Sequence, residues 1–496
     1  MSDTPPAPGS LQALEALHGA RYRWLLLMSV MVGAMAALMS STVVNVAIPD
    51  LSQHFGLGQE RAQWATSAFM AATVASMLTT PWMLARFGFR RTYEYAMWAL
   101  LAGGVAGGLA DSYTLVLVAR VAEGLAAGVV QPIPAIVILR AFGPQEQGRA
   151  SGIFGMGVVL APALGPSVGG LLVDGMGWRS IFFMVVPFCL ASLWLARRYV
   201  PVTGPGGVAA KAGATLDWLG LSLASVGTVC LLNGLVQWQA GDGHWAVLLL
   251  SATAAAVVGF IAWQRRALHR YRGGTGAPPL MHLDLFSHRQ FAMGSLVALI
   301  YGMALFGSTY LLPVYLQMGL GLSAAYVGAL LLPAGLLLAL TIAAVGRLAD
   351  HRPAHTLVSL GLFLLALSFA AIGLLDRATP LGWLVALTIV GRVGLGFVLP
   401  ALHLGTMRGL PSELIPQASS VANFLRMLGG ATGVSLCGIV LEWRLDAHGA
   451  RLTSPEGVTE RLAAFNETFA MLAALCGLAL WAAWHLRGQP QGPQRQ

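Results

Sequence analysis

Hydrophobic residues along this chain are gathered into blocks of about twenty, the length a helix needs to cross a hydrocarbon core of roughly 30 Å. The blocks run over residues 24–48, 61–82, 93–110, 113–139, 150–173, 180–196, 216–238, 245–263, 290–315, 323–346, 355–375, 381–407, 415–441 and 465–486, fourteen in all. Glycine and proline inside them are normal for membrane helices packed on one another, where neighbouring helices re-satisfy the freed backbone groups. The pattern predicts an all-α, polytopic membrane protein of fourteen transmembrane helices. The first block starts near Trp24 and is too long for a signal-peptide core. It is expected to stay as a span.

Composition sharpens this reading. With 56% hydrophobic and only 10% charged residues, a soluble protein of this length could not cover its surface. A net charge of +9 would suggest nucleic acid in a soluble chain; here it reads as the excess of Lys and Arg on cytoplasmic loops, and no nucleic-acid partner is expected. With both termini in the cytoplasm, 20 of the 29 Lys and Arg residues fall inside and 6 outside, while Arg120, Arg392 and Arg426 fall within blocks. An odd number of spans would scramble that bias, so an even count and an orientation are predicted together. Cys189, Cys230, Cys437 and Cys476 lie far apart inside apolar blocks, with neither metal-ligand spacing nor a disulfide pattern. No metal site is expected.

One pattern occurs twice. Block four contains Arg120-Val-Ala-Glu-Gly and block twelve Arg392-Val-Gly-Leu-Gly. The loop after block two reads Leu84-Ala-Arg-Phe-Gly-Phe-Arg-Arg, and the loop after block ten Gly346-Arg-Leu-Ala-Asp-His-Arg. Internal repeats of this kind mark transporters whose halves rock about a central site. The expected organisation is a cytoplasmic tail (1–23), a six-helix bundle (24–198), a linker with two extra transmembrane helices (199–264), a basic cytoplasmic loop (265–289), a second six-helix bundle (290–487) and a C-terminal tail (488–496). No loop could house a nucleotide-binding domain, and no G-x-x-x-x-G-K-[ST] loop occurs. An ion gradient is therefore the expected energy source, with no cofactor. No catalytic constellation is present, so an enzyme is not expected.

Several segments then stand in a recognisable order. They are Ser40-Ser-Thr-Val-Val-Asn-Val-Ala-Ile-Pro49, Arg120-x-x-Glu-Gly124, Leu164-Gly-Pro-Ser-Val-Gly-Gly170 followed by Gly177-Trp-Arg-Ser-Ile-Phe-Phe183, Leu312-Pro-Val-Tyr-Leu-Gln317 and Asn423-Phe-Leu-Arg426. Over nearly the whole chain they resemble the fourteen-helix drug–proton antiporters of the major facilitator superfamily. The resemblance implies two six-helix bundles plus two central helices, and proton-driven export of small hydrophobic compounds, with multidrug efflux and antibiotic resistance as the associated phenotype. Two departures accompany it. The family's span-one motif usually has Asp where this chain has Ser40, and its G-x-L-A-D loop is replaced by Pro81-Trp-Met-Leu-Ala85. The second loss resembles a branch of Gram-negative inner-membrane pumps, which implies a periplasmic adaptor and an outer-membrane channel as partners.

Glu123 is the one acidic residue that the block boundaries place in the interior of a span. A charge there costs about 3 kcal/mol on insertion scales and must face a cavity and find a partner. Arg120, three residues earlier, shares its helix face. Two readings stand: a proton carrier that has moved from span one to span four, or a structural pair bracing the helix. Arg120 itself either takes part in proton transfer, as the resemblance implies, or snorkels to the outer surface. Asn45, Trp64, Gln131, Tyr310, Gln317, Arg392, His403, Asn423 and Arg426 are candidates for lining a substrate cavity, each also readable as helix–helix glue. Gly165, Pro166, Gly169 and Gly170 form the antiporter motif. Arg86, Gly88, Arg90 and Arg91, with Asp350 in the second copy, resemble a cytoplasmic latch, or serve as positive-inside anchors. A dedicated exporter of one natural metabolite fits the same pattern. A sensor or scaffold fits less well, having no need for the antiporter motif or for a buried acid.

Overall fold

The computed structural model describes residues 11–202, 213–274, 276–376, 379–452 and 457–486, except the side chains at 11, 12, 20, 59, 60, 162–164, 166, 167, 324 and 325. Lys211, Arg377, Arg487 and Arg495 of the charge count lie outside the described residues, as do the ends of both tails. Helix is the regular structure among the described residues, and it covers each of the fourteen apolar blocks. A short helix, α1 (Leu11–His18), precedes α2 (Tyr22–His54). Block two is split into α3 (Gln59–Met77) and α4 (Thr80–Phe87), bent by 58°. Pro81 stands at the start of α4, where its missing N–H costs nothing but the preceding helix cannot run on. Next come α5 (Phe89–Gly108), α6 (Tyr113–Val130) and α7 (Ile133–Ala141), the last two separated at Gln131 and Pro132. They are followed by α8 (Gln147–Met176), a single turn α9 (Ser180–Phe183) and α10 (Val185–Tyr199).

The two extra helices are α11 (Trp218–Gln239) and α12 (Gly243–Arg272). The second half comprises α13 (Arg289–Val314), α14 (Ala324–Ala349), α15 (Ala354–Ile372), α16 (Leu381–Met407), α17 (Ile415–Ala447) and α18 (Val458–Trp484). Pro313 near the end of α13 is followed by a π-turn over Tyr315–Gly319, the widened winding by which a helix absorbs a lost bond.

Among the described residues eleven helices are long and apolar enough to cross a membrane, or twelve if α3 and α4 form one span. Outside that count, α5 opens with Arg90, Arg91 and Glu94, and α8 holds several positions whose side chains are outside the description. Helices also run past the apolar blocks. Glu467, placed at the edge of block fourteen, lies three turns into α18. Glu123 is thus not alone among helical acids.

Contacts divide the chain into two compact units. The first comprises Met1–Ser225, Gly259–Leu283 and Leu410–Val421; the second Val226–Val258, Asp284–Gly409 and Ala422–Gln496. Within the first, α6 packs on α3 and α5, α2 on α8, and α10 on α2 and α5. Within the second, α16 packs on α14 and α15, and α18 on α13 and α15. These contacts of α13, α14, α15, α16 and α18 match those of their sequence counterparts in the first unit, with Arg120 and Arg392 on the corresponding helices α6 and α16.

Small residues set these approaches. A Cβ on Gly124 of α6 would meet the Phe69 carbonyl and stand 2.9 Å from the Ala72 Cβ of α3. A Cβ on Gly302 of α13 would strike the Arg426 carbonyl of α17 and stand 2.9 Å from the Gly430 nitrogen. With lipid rather than water around them, membrane helices have no water to expel and gain instead from such close van der Waals contact. The extra helices differ. Only about a fifth of the apolar windows of α11 and α12 is buried (22% and 17%), and Val226, Val236, Val247 and Val258 are exposed. Apolar side chains so displayed suit lipid. At the other end of this pair Asp217 Oδ1 accepts from the Gly220 nitrogen (2.9 Å) and Trp263 Nε1 (2.8 Å), and Oδ2 accepts from Gln264 Nε2 (2.7 Å). One buried carboxylate therefore ties the start of α11 to the end of α12.

Gly124→Val should overpack the α3–α6 seam by about 1–3 kcal/mol. Purified protein in detergent should melt at lower temperature than wild type, while Gly170→Ala, whose Cβ would meet Val46 at an ordinary 3.9 Å, should melt unchanged. Equal melting of the two variants would contradict the packing account.

Candidate functional site

On α6, residues three apart share a face, so Arg120 and Glu123 point the same way. Both side chains are wholly buried, at 0% exposure. Arg120 Nη1 donates to Glu123 Oε2 at 2.5 Å and to Ser40 Oγ of α2 at 2.8 Å. Its Nε donates to the Ala65 carbonyl of α3 at 3.1 Å, and its guanidinium lies 4.2 Å from the centre of the Phe69 ring. Fixed this way, Arg120 turns inward. The snorkelling reading is overturned.

Helix α5 supplies the room. A Cβ on Gly103 would stand 2.6 Å from Glu123 Cγ, and one on Gly104 would stand 3.7 Å from Glu123 Oε1. Glu123 lies ten residues into α6, or about 15 Å along its axis, roughly midway through a 30 Å core. An isolated charge at that depth is strongly disfavoured, and the direct pair is what makes either tolerable. Satisfaction is incomplete: Glu123 Oε1 and Arg120 Nη2 are buried without a hydrogen-bond partner. A carboxyl with one oxygen bonded to a guanidinium and the other unpartnered can take a proton on the second. Protonation would remove the charge that holds Arg120, leaving its other partners, Ser40, Ala65 and Phe69, to compete for it.

The second unit treats its arginines differently. Arg392 of α16 is half-buried, and its Nη1 donates to Thr309 Oγ1 at 3.4 Å. Arg426 Nη2 donates to Asn423 Oδ1 at 3.3 Å within α17. His403 is half-buried on α16. The remaining cavity candidates lie on α2, on α3, at the α6–α7 break, on α13 and in the π-turn after it. Asn45 is exposed and accepts from Thr66 Oγ1 at 2.8 Å. Trp64 is exposed, and Gln131 is buried at the α6–α7 break. Tyr310 is half-buried on α13, and Gln317 is exposed in the π-turn.

The antiporter motif lies along α8, facing α2. A Cβ on Gly165 would stand 2.7 Å from Thr42 Oγ1, and one on Gly169 would meet Val43 Cγ2, so these two glycines let α8 lie directly on α2. The side chain of Pro166 lies outside the described residues. Of the latch candidates, Arg86 and Arg91 are exposed in the first unit, and Arg90 Nε donates to the Val200 carbonyl at 2.6 Å. Gly88 joins α4 to α5 at φ +80°, a conformation favouring glycine. Asp350, in the second unit, is the half-buried residue ending α14.

Three features escaped the sequence reading. Ser40, noted there only as a missing acid, is a direct partner of Arg120; the substitution itself was the signal. Asp217 sat at a block edge without any motif. The Arg444–Glu467 pair, in which both guanidinium arms reach the carboxylate and His448 Nε2 lies 3.3 Å from Glu467 Oε1, was hidden because helices α17 and α18 extend past their apolar blocks.

Removing one member of a buried pair leaves the other uncompensated, typically at about 3–5 kcal/mol. Arg120→Leu should therefore lower the melting temperature of the purified protein more than the double variant Arg120→Leu/Glu123→Leu. A double variant less stable than the single one would show that the two side chains are not coupled.

The Major Facilitator Superfamily model matches residues 30–434. The lincomycin resistance protein LmrB of Bacillus subtilis (strain 168) is 25% identical over 460 residues, covering 91% of this chain and 94% of its own length. The multidrug resistance protein B homolog of Mycobacterium tuberculosis is 29% identical over 415 residues, covering 82% of this chain and 74% of its own. Among solved structures, the proton:xylose symporter XylE superposes with a TM-score of 0.64 at 12% identity, covering 94% of this chain and 96% of that one; this likeness concerns the fold alone. With repeated units, membrane-length helices and a family match over most of its length, the chain belongs to the Major Facilitator Superfamily of transporters.

Proposed function

We propose that this transporter is a proton-coupled exporter of small hydrophobic organic compounds, drugs among them, with Glu123 as the proton-carrying group and Arg120 as its switchable partner. The observation that carries this reading is the wholly buried Arg120–Glu123 pair joined to Ser40. In the drug antiporters this chain resembles, the span-one position held here by Ser40 is usually acidic and the position of Glu123 is usually Gln. Two substitutions thus preserve one carboxyl beside one guanidinium while moving the acid from span one to span four. Relatives named for lincomycin and multidrug resistance support the substrate class.

The cycle follows from the electrostatics. With Glu123 ionised, the pair is closed and nearly neutral. Proton arrival at Oε1 weakens the pair, and proton loss restores it, so the two protonation states favour different packings of α6 against α2, α3 and α5. A transporter needs such a two-state element for proton and substrate to exchange across the membrane. The proton gradient is the energy source, and no cofactor takes part. The reading includes fourteen spans, with α5 and α8 crossing despite their polar or small residues. It places both termini in the cytoplasm of a bacterial inner membrane, from the bias of basic residues between alternate loops. A periplasmic adaptor and outer-membrane channel belong to it through the altered Pro81–Ala85 loop.

Glu123→Gln should abolish proton-gradient-driven efflux from inverted vesicles in protein that still folds and inserts, though it melts below wild type because Arg120 loses its counter-charge; unimpaired efflux would defeat the proposal. Ser40→Asp combined with Glu123→Gln, which returns the acid to span one, should recover part of the coupling. Because Ser40 stands in place of the span-one motif acid and buried arginines are in surplus, neutral or weakly acidic compounds should be exported better than permanent cations. A vesicle assay with a panel of the three classes checks this, and preference for quaternary ammonium compounds would contradict it.

A further inference from the structure

The two units solve the same electrostatic problem with different means. Arg120 on α6 has its counter-charge three residues on, at Glu123. Arg392, its counterpart on α16, has Leu395 at that place. Among the described residues Arg392 forms no ion pair, and its hydrogen bond to Thr309 Oγ1 is long at 3.4 Å. A guanidinium carries five N–H donors, and in a membrane helix each one left without an acceptor is costly.

Beside Arg392 lies a cavity of about 20 Å³, lined by Arg392, Leu395, Thr388, Ser308, Ser368 and Phe369 among others. That volume suits one particle of about the size of a water molecule. Its polar lining contains a cation and hydroxyls but no carboxylate. Two hydroxyls are already engaged: Ser308 Oγ donates to the Leu305 carbonyl at 3.2 Å, and Ser368 Oγ to the Leu387 carbonyl at 2.7 Å. Thr388 is different. It is 5% exposed, one helical turn before Arg392, and its Oγ1 has no hydrogen-bond partner. A buried threonine in a helix normally donates back to its own backbone. Here the donor is left for whatever the cavity holds.

We propose that this cavity is a binding site for a small inorganic monovalent anion of the chloride class, which serves Arg392 as Glu123 serves Arg120. The anion accepts from the Arg392 guanidinium and the Thr388 hydroxyl, and Leu395 marks the place of the absent carboxylate. The cavity is too small for the organic substrate, so the site is a resident counter-ion site in the second unit. It stands independently of the proton-carrying role assigned to Glu123. Its consequence is an unequal pair of units: the first keeps its charge balance by a covalent, protonatable group, the second by an exchangeable ion.

The full-length protein, purified in detergent with gluconate as the sole anion, should melt at lower temperature than in chloride, with a saturable rise on titrating chloride or bromide at constant ionic strength. Thr388→Val removes one hydrogen bond to a charged group and should raise the half-saturating halide concentration about tenfold. Leu395→Glu supplies the carboxylate within the chain and should make melting independent of halide. Should that variant not fold, anomalous scattering from wild-type crystals grown in bromide decides the matter: a peak beside Arg392 and Thr388 supports the site. Melting indifferent to halide together with no bromide peak would mean that the cavity holds only water, and the proposal would be overturned.

Discussion

Moving a guanidinium out of water and into the middle of a membrane protein is the most expensive single arrangement in this molecule, and much of the first unit is built around it. Arg120 needs a counter-charge, acceptors for its remaining donors and a surface for its flat face. Glu123, Ser40, the Ala65 carbonyl and the Phe69 ring meet most of those needs from three helices, leaving Nη2 without an acceptor. The glycines of α5 exist in the same account, since any side chain at Gly103 would occupy the space of the Glu123 stem. A side-chain pair thus dictates the identity of residues on every helix around it, and ties the packing of those helices to its charge state. In the proposed function, that link is what would give a proton its mechanical consequence.

Packing elsewhere follows the rule of membrane interiors, where close approach of backbones replaces the expulsion of water as the source of cohesion. The α8–α2 seam depends on Gly165 and Gly169, and the α13–α17 seam on Gly302 and Gly429. Helices α11 and α12 also meet through glycine, Gly227 against Ala256 and Gly234 against Leu250, but they keep broad apolar faces exposed and are tied further through Asp217, Trp263 and Gln264. Motif and packing therefore overlap: Gly165 and Gly169 of the antiporter motif on α8 are positions where a Cβ would collide with α2.

The repeat makes the comparison of the two units informative. Corresponding helices have corresponding neighbours, yet the charges differ: the first unit carries an acid beside its α6 arginine, and the second does not beside its α16 arginine. Under the two proposals made above, protonation belongs to one unit, and the other balances its arginine with an exchangeable ion.

Hydropathy and the spacing of apolar blocks determined by themselves that the chain is helical and membrane-embedded, because crossing hydrocarbon demands long apolar runs whose backbone bonds close internally. The repeat was legible too, since Arg120 and Arg392 stand in matching short motifs. So was the importance of Glu123, because an acid amid twenty apolar residues has no cheap explanation. What only the tertiary structure decided was who meets whom. Ser40 reaches Arg120 across 80 positions of sequence; Glu467 finds Arg444 because two helices outrun their apolar blocks; Thr388 keeps an unpartnered hydroxyl beside Arg392. Each of these depends on helix rotation and end point. Hydropathy averages over a whole turn and cannot report them, whereas a hydrogen bond is made or lost within a few tenths of an ångström.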